Sequence, residues 1–355
     1  MNADLHCSIA SPDPFPIVHQ RLATILLLCS TFMPAGCGRR LQRHDYHAPM
    51  MGTEFRLVIY SGRRAAADAA AAAAFAEADR LNSIFSDYDQ KSEIRRLGAV
   101  SSDRAPTPWI PISDDLCVVL EFAQRLSVTS QGAFDVTIGP LAELWRRARR
   151  LSELPDEARL EDARSRVGFR RLELDARAQA VRLLAPNMKL DFGAIAKGYA
   201  ADRMLRVLED RGCSCSLVVC GGETRAGRPP PERRGWRIKV ETPHAPAPFH
   251  LEIKHAALSS SGDTYQFVEV DGIRYSHIVD PRTADALTRA QGVTVLAADG
   301  LTADALATAL CVLSIEAGRE LVAAFPGVQA RWALVHDGRV QVESTSGFPR
   351  ETRAD

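Results

Sequence analysis

No charge of either sign dominates this 355-residue sequence: 44 lysines and arginines balance 44 aspartates and glutamates. No net field therefore draws the chain to nucleic acid. Its densest basic stretch, "WRRARR" from Trp145 to Arg150, reads as the solvated end of a helix. No apolar run reaches the ~20 residues that a membrane-spanning helix needs. No CxxC pair occurs either. Of eight cysteines, Cys7 and Cys29 fall in the N-terminal stretch and Cys37 at its end, leaving Cys117, Cys213, Cys215, Cys220 and Cys311. An odd set without CxxC argues against a disulfide framework and against structural zinc, and "CSC" at 213–215 reads as small buried or turn cysteines. Two phosphate-binding signatures are missing as well. A P-loop needs Lys-Ser or Lys-Thr after its second glycine, whereas Gly198 precedes Tyr199 and Ala200. The dinucleotide fingerprint G-x-G-x-x-G also fails on spacing. There is no internal repeat.

What is present is ordinary globular composition, 46% hydrophobic and 25% charged, enough for one large domain or two small ones. The N-terminus differs from the rest. Leu22 to Met33, "LATILLLCSTFM", follows Arg21, has the length of a signal-peptide core and runs into "PAGC". Small residues before Cys37 look like a lipoprotein box whose cysteine would be lipidated. The expected organisation is a leader over 1–37, a linker over 38–49, one domain over 50–345 and a tail over 346–355.

Element signals follow. "TEFRLVIY" ends in an alternating strand from Glu54 to Tyr60, and the alanine-rich run after it is a helix with an apolar stripe at Phe75, Leu81 and Phe85. A second helix is expected over Asp114 to Thr129, with Leu116, Leu120 and Leu126 along one side. "SQGAFDVTIGPL" interrupts it with a short strand-like piece, and helical sequence continues to about Arg166. "RRLELDARAQAVRLL" is two strands around a turn. A helix from about Ala194 to Asp210 follows "LDFGA". Asp271-Gly272 between alternating runs signals a type I′ hairpin. "GVTVLAADG" is a strand and "LTADALATALCVLS" a helix. Strands of antiparallel character with helices between them give an α+β fold.

Three stretches carry chemistry. In "LTADALATAL", Thr302 is a good N-cap, and Asp304 and Thr308, four apart, project from one helical face, with Leu306, Leu310 and Leu313 on the buried side. A carboxylate beside a hydroxyl suits magnesium, which keeps waters and binds phosphate oxygens. The plainer reading is an aspartate complementing the helix dipole and a threonine bonding back to the preceding turn. In "LDFGAIAKGYAADRM", Gly193 permits close approach of the backbone to a ligand, and the following helix offers free N–H groups suited to phosphate. The plainer reading is strand, turn and helix with small residues for packing. His277, in "RYSHIVDPRT", shares a strand face with Ile273, Tyr275 and Val279. It is either a core histidine or a base for activating a hydroxyl.

In chain order the sequence carries "MGTEF", "SDYDQKSEI", "GAFDVTIGPL", "LDFGAIAKGYAAD", "VCGGE", "SSSGD", "YSHIVDPRT" and "ADALATAL". That series, from about Met51 to Leu313, resembles the ApbE family, the FAD:protein FMN transferases. The resemblance implies an α+β fold of mixed, largely antiparallel sheets with packed helices, related to the T-fold. It implies a magnesium-dependent enzyme of the cell envelope, often a lipoprotein. Such an enzyme cleaves the FAD pyrophosphate, passes FMN to a threonine or serine hydroxyl of a target protein and releases AMP. Acceptors would be subunits of sodium-pumping NADH:quinone reductases, Rnf-type complexes and related membrane-linked reductases. By the same resemblance, Met51, Ala133, Phe134, Asp135, Asp191 and Lys197 would contact FAD. Ala194, through its backbone oxygen, Asp304 and Thr308 would hold Mg2+, and His277 would be the general base. The chain departs from the family pattern at "GGE", where Gly-Gly-Asp is usual, at "PRTADA" in place of Pro-Arg-Thr-Gly, and at Gly98, where an asparagine often stands. Two other readings stay open: an FAD pyrophosphatase that gives FMN and AMP, and a periplasmic flavin-binding lipoprotein.

Overall fold

A computed structural model of the chain describes residues 40–263 and 266–350. The expected leader and Cys37 lie outside the described residues. An eight-stranded sheet dominates the rest, with strands Gln42–Met50, Thr53–Ser61, Ser216–Cys220, Glu223–Ala226, Ala256–Gly262, Gln291–Ala297, Gln329–His336 and Arg339–Ser344. They lie side by side in chain order, and each neighbouring pair is antiparallel. Eight α-helices occur among the described residues: α1 Arg64–Phe85, α2 Glu93–Asp103, α3 Asp114–Thr129, α4 Gly139–Leu151, α5 Glu157–Ser165, α6 Ala196–Asp210, α7 Gly300–Val312 and α8 Ile315–Ala323. The α+β expectation holds.

Period-two alternation decides what covers each face of the sheet. Leu57 and Ile59 point into the helical core, while Val58 between them packs on the other side with Trp236, Phe249 and Leu251. That second layer is a hairpin of Trp236–Val240 and Phe249–Ile253. On the helical side, α1 buries Ala67, Ala70, Ala71, Ala74 and Ala78. The alanines themselves, with Leu81 and Phe85, form the inward stripe; Phe75, expected in it, is only half-buried. Small side chains let α1 lie close on α6.

Some boundaries differ from the sequence expectation. Most of the segment expected as a linker, 38–49, belongs to the sheet's edge strand, Gln42–Met50, which pairs with one strand only. Residues 130–138 form a turn rather than a strand, with one isolated bridge from Ile138 to Lys189. The α7 helix starts earlier than expected. Asp299, not Thr302, is its N-cap, accepting the Thr302 N–H at 2.7 Å. At Asp271-Gly272 the hairpin is as expected: φ is 52° and 77°, and strands Phe267–Val270 and Ile273–Ser276 pair across it. Cys117, Cys213, Cys215, Cys220 and Cys311 are buried and free.

Candidate active site

Two glycines make the site possible. Helices α6 and α7 cross at Gly198 and Gly300 so closely that a Cβ on Gly198 would sit 2.1 Å from the Gly300 carbonyl oxygen. Only glycine permits that approach. The crossing lets the Gly198 N–H donate to Asp304 Oδ2 at 2.9 Å, joining residues 106 apart in the chain. Because Asp299 caps the helix, Asp304 lies beyond the first turn, and its side chain is 2% exposed. The dipole-complementing reading of Asp304 therefore gives way: this carboxylate is held in the core end of a cleft. Thr308 follows one turn later, with Oγ1 3.3 Å from Ser261 Oγ of the neighbouring strand.

Lys197 reaches back to the Gly193 carbonyl at 2.8 Å. Its ammonium lies 3.7 Å from Glu223 Oε1 and 4.0 Å from Asp304 Oδ2. Burial by itself would lower the Lys197 pKa, but Asp304 and Glu223 outweigh it and hold the ammonium well above its ordinary range. Burial raises the Glu223 carboxyl, Lys197 pulls it back and Asp304 pushes it further up. Glu223 Oε2 is buried with no hydrogen-bond partner.

Asp191 Oδ1 accepts the Gly193 N–H at 2.8 Å, shaping the turn before α6. Its Oδ2 takes Arg146 at 2.6 Å, and Arg146 also grips Asp87. "WRRARR" is a solvated helix end only in part: Arg147 and Arg150 are exposed, but Trp145 is buried and Arg146 clamps two carboxylates. Asp135 is buried, and its Oδ1 accepts both the backbone N–H and the hydroxyl of Thr137, at 2.8 and 2.7 Å. Those bonds fix the turn that presents Ala133 and Phe134. Burial raises the Asp135 carboxyl, and the Thr137 bonds oppose the rise. Met51 has φ 46° and Gly52 φ 74°, so a two-residue turn between the first two strands sets Met51 at the rim.

His277 lies just past the strand Ile273–Ser276 rather than on a shared strand face. Its Nδ1 is 3.2 Å from the Gln266 carbonyl oxygen. A carbonyl only accepts, so Nδ1 carries a proton, and in the neutral ring Nε2 is the nitrogen left with a lone pair. Burial lowers the His277 pKa, the Gln266 carbonyl partly counters this, and Arg149 lowers it further.

Met51, Ala133, Phe134, Asp135, Asp191, Ala194, Lys197, His277, Asp304 and Thr308 all line one cleft of about 1460 Å³. Sites for drug-sized ligands run to roughly 1000 Å³, so the cleft has volume enough for a dinucleotide. Asp87, Arg146, Arg149, Ser261 and Glu223 line it as well; the sequence expectation gives the first four no place there and marks Glu223 only as a departure from the family pattern. Asp87, Glu223 and Ser261 fall inside the motifs "SDYDQKSEI", "VCGGE" and "SSSGD", and the arginine run closely follows "GAFDVTIGPL".

Among the described residues, no three His, Cys, Asp or Glu side chains gather as a metal site. One buried carboxylate, a hydroxyl and a nearby backbone carbonyl are hard oxygen donors, too few for a closed protein cage. That donor set fits Mg2+, which takes a carboxylate or two and completes its shell with water and substrate phosphate.

Comparison with known proteins agrees with this geometry. A FAD:protein FMN transferase of Vibrio cholerae is 32% identical over 304 residues, covering 83% of this chain and 88% of the relative. One of Treponema pallidum is 31% identical over 340 residues, covering 90% and 92%. Among solved structures, the apo form of the flavinyl transferase ApbE of Pseudomonas stutzeri aligns with a TM-score of 0.76 at 29% identity, over 87% of this chain and 96% of that one. Fold, cleft and relatives together define an enzyme of the flavin transferase class. The chain belongs to the ApbE family, whose sequence model matches residues 51–332.

Proposed function

We propose that the enzyme cleaves the pyrophosphate of FAD and transfers FMN to a threonine or serine hydroxyl of a target protein, releasing AMP. The observation that carries this reading is the Gly198–Gly300 crossing, which gathers Asp304, Lys197 and the turn at 191–194 in one cleft with His277, whose Nδ1 is held by the Gln266 carbonyl. The bond formed joins the acceptor oxygen to the FMN phosphorus; the bond broken joins that phosphorus to the bridging oxygen, which leaves with its electron pair as AMP. His277 Nε2 takes the hydroxyl proton. Lys197 sets a positive charge beside the phosphates, and Asp135 and Asp191 hold the turns that enclose the dinucleotide. Bound by Asp304, Thr308 and the Ala194 carbonyl, Mg2+ would supply neutralisation of the phosphate charge.

The acceptors the family resemblance supports are subunits of sodium-pumping NADH:quinone reductases, Rnf-type complexes and related reductases. The apolar leader and the small residues before Cys37 support an enzyme exported to the cell envelope and lipid-anchored on the periplasmic face of a bacterial membrane. No helix among the described residues is long and apolar enough to cross a membrane.

Incubating the chain with FAD, Mg2+ and a candidate acceptor domain, then weighing the acceptor, tests the reading. Gain of one FMN mass is expected, and chelation of the metal abolishes it. Free FMN and AMP with an unmodified acceptor would instead identify a pyrophosphatase, and intact FAD a passive flavin binder.

A further inference from the structure

The arginine run of α4 does more than clamp Asp191. Arg146, Arg147, Arg149 and Arg150 occupy four of five successive positions. Like charges three and four apart on a helix oppose folding by a few tenths of a kcal/mol each, so folding alone does not account for the run. Arg146 and Arg149 line the FAD-sized cleft. Arg147 and Arg150 line a second groove of about 630 Å³, walled by α4 and α5. The two spaces meet at Asp87, Tyr88 and Arg146, which line both.

The second groove holds seven cationic side chains against three carboxylates. Every one of those carboxylates is already engaged: Asp87 by Arg146, Glu143 by Arg95 and Lys189, Asp162 by Arg166. Arg147 and Arg150 are exposed and make no hydrogen bond or ion pair among the described residues. Arg159 pairs with Asp156 and Arg146 also with Asp191, so the unpaired positive charge is that of Arg147 and Arg150, which faces solvent in a concave channel that opens at the rim of the reaction cleft.

We propose that this groove is the docking surface for the acceptor protein, and that it takes an acidic segment flanking the modified hydroxyl; this rests on the transferase reading above. A polypeptide delivering one side chain into the cleft must leave its flanking residues outside, and the Arg146 rim leads them into the groove. Concavity favours an extended peptide over a lipid surface, which meets convex or flat basic patches. Complementary charge at such a rim acts mainly on encounter and specificity, and screens with salt.

The test uses the full chain and two dye-labelled synthetic peptides. One carries a threonine flanked by aspartates and glutamates; in the other those acids are asparagine and glutamine. Fluorescence anisotropy reads binding without turnover, so the result stands even where no FMN is transferred. The acidic peptide is expected to bind about tenfold tighter at low salt. That preference should vanish in the Arg147→Gln/Arg150→Gln double variant and in 0.5 M salt (roughly, a Debye length of a few Å). FAD cleavage by the variant should remain at the parent rate. Equal affinity for the two peptides, or a preference that survives in the variant, overturns the proposal. Equal peptide affinities with sedimentation on phosphatidylglycerol vesicles that the double variant loses would assign the groove to a membrane surface instead. Loss of FMN transfer from the parent chain, with the peptide preference intact, would strike the transferase reading alone.

Discussion

The backbone N–H of Gly198 donates to Asp304 Oδ2 at 2.9 Å, and this bond ties the start of α6 to the middle of α7's first half. It separates two roles of one carboxylate. An asparagine at 304 can still accept from Gly198 but brings no charge. Asp304→Asn should therefore leave the denaturation midpoint nearly unchanged while FAD turnover falls at least ~100-fold, the loss of a few kcal/mol of charge stabilisation. Gly198→Ala should do the reverse in order: its methyl meets the Gly300 carbonyl, the helices must part, and stability falls by about 3 kcal/mol. Wild-type turnover in Asp304→Asn would remove Asp304 from the chemistry.

Arg146 stands between Asp87 and Asp191, and burial together with Asp191 raises the Asp87 carboxyl even with the arginine present. Removing the cation leaves two half-buried carboxylates facing each other. Arg146→Gln should lower stability at pH 7 by about 2 kcal/mol, less than a fully buried broken pair because both acids keep some solvent. The sign with pH follows from the direction of the Asp87 shift. A carboxylate whose folded pKa is raised destabilises when ionised, so stability is regained as pH falls through that pKa. Urea titrations of the variant at pH 7 and pH 5 should show the deficit narrowing at the lower pH. A deficit that stays constant or widens would mean the clamp acts by packing alone.

His277 must be unprotonated to take a proton, and its pKa is lowered by burial and by Arg149. The acid limb of the kcat/KM profile should then fall below pH 6.5, so that activity holds into mildly acid conditions. Arg149→Gln removes a cation that disfavours the imidazolium, and the limb should move to higher pH. In His277→Ala the limb should disappear along with most of the rate. An acid limb above 6.5 in the parent enzyme, or one unmoved by Arg149→Gln, would point to another base.

Much of this was legible in the residues. Alternation over Glu54–Tyr60 marked the strand Thr53–Ser61, the apolar run in "GVTVLAADG" marked Gln291–Ala297, and Asp271-Gly272 marked its turn, because local backbone preference and side-chain pattern act within a few residues. The α3 helix matched its expected limits for the same reason. The ordered motifs named ten residues that share one cleft. What escaped was set by distant contacts. Nothing near Gly198 announces Gly300, and the burial of Asp304 depends on that crossing. The edge strand Gln42–Met50 is written in polar residues, since it has little core to face. Arg146 looked like a surface charge because its partners, Asp87 and Asp191, lie in other segments.

The turn after His277 carries one departure from the family pattern with a measurable consequence. Ala284 stands at φ 72°, the left-handed region that glycine adopts freely. The turn is nevertheless closed: the Ala284 N–H donates to the Asp280 carbonyl at 2.9 Å, and its own carbonyl accepts Trp145 Nε1 at 2.9 Å. An alanine there costs roughly 1–2 kcal/mol in backbone strain. Glycine would relieve that, yet lose about 0.5–1 kcal/mol through unfolded-state freedom and about 0.8 through the buried methyl. The terms nearly cancel, so Ala284→Gly should change stability by less than about 1 kcal/mol. Ala284→Val has no such offset: a β-branched residue is strained at positive φ and adds volume against Leu141 and Trp145. It should cost more than about 3 kcal/mol and loosen the Trp145 indole bond, visible as a red shift in tryptophan emission. A valine variant as stable as the parent would show that the turn does not hold residue 284 in the left-handed region.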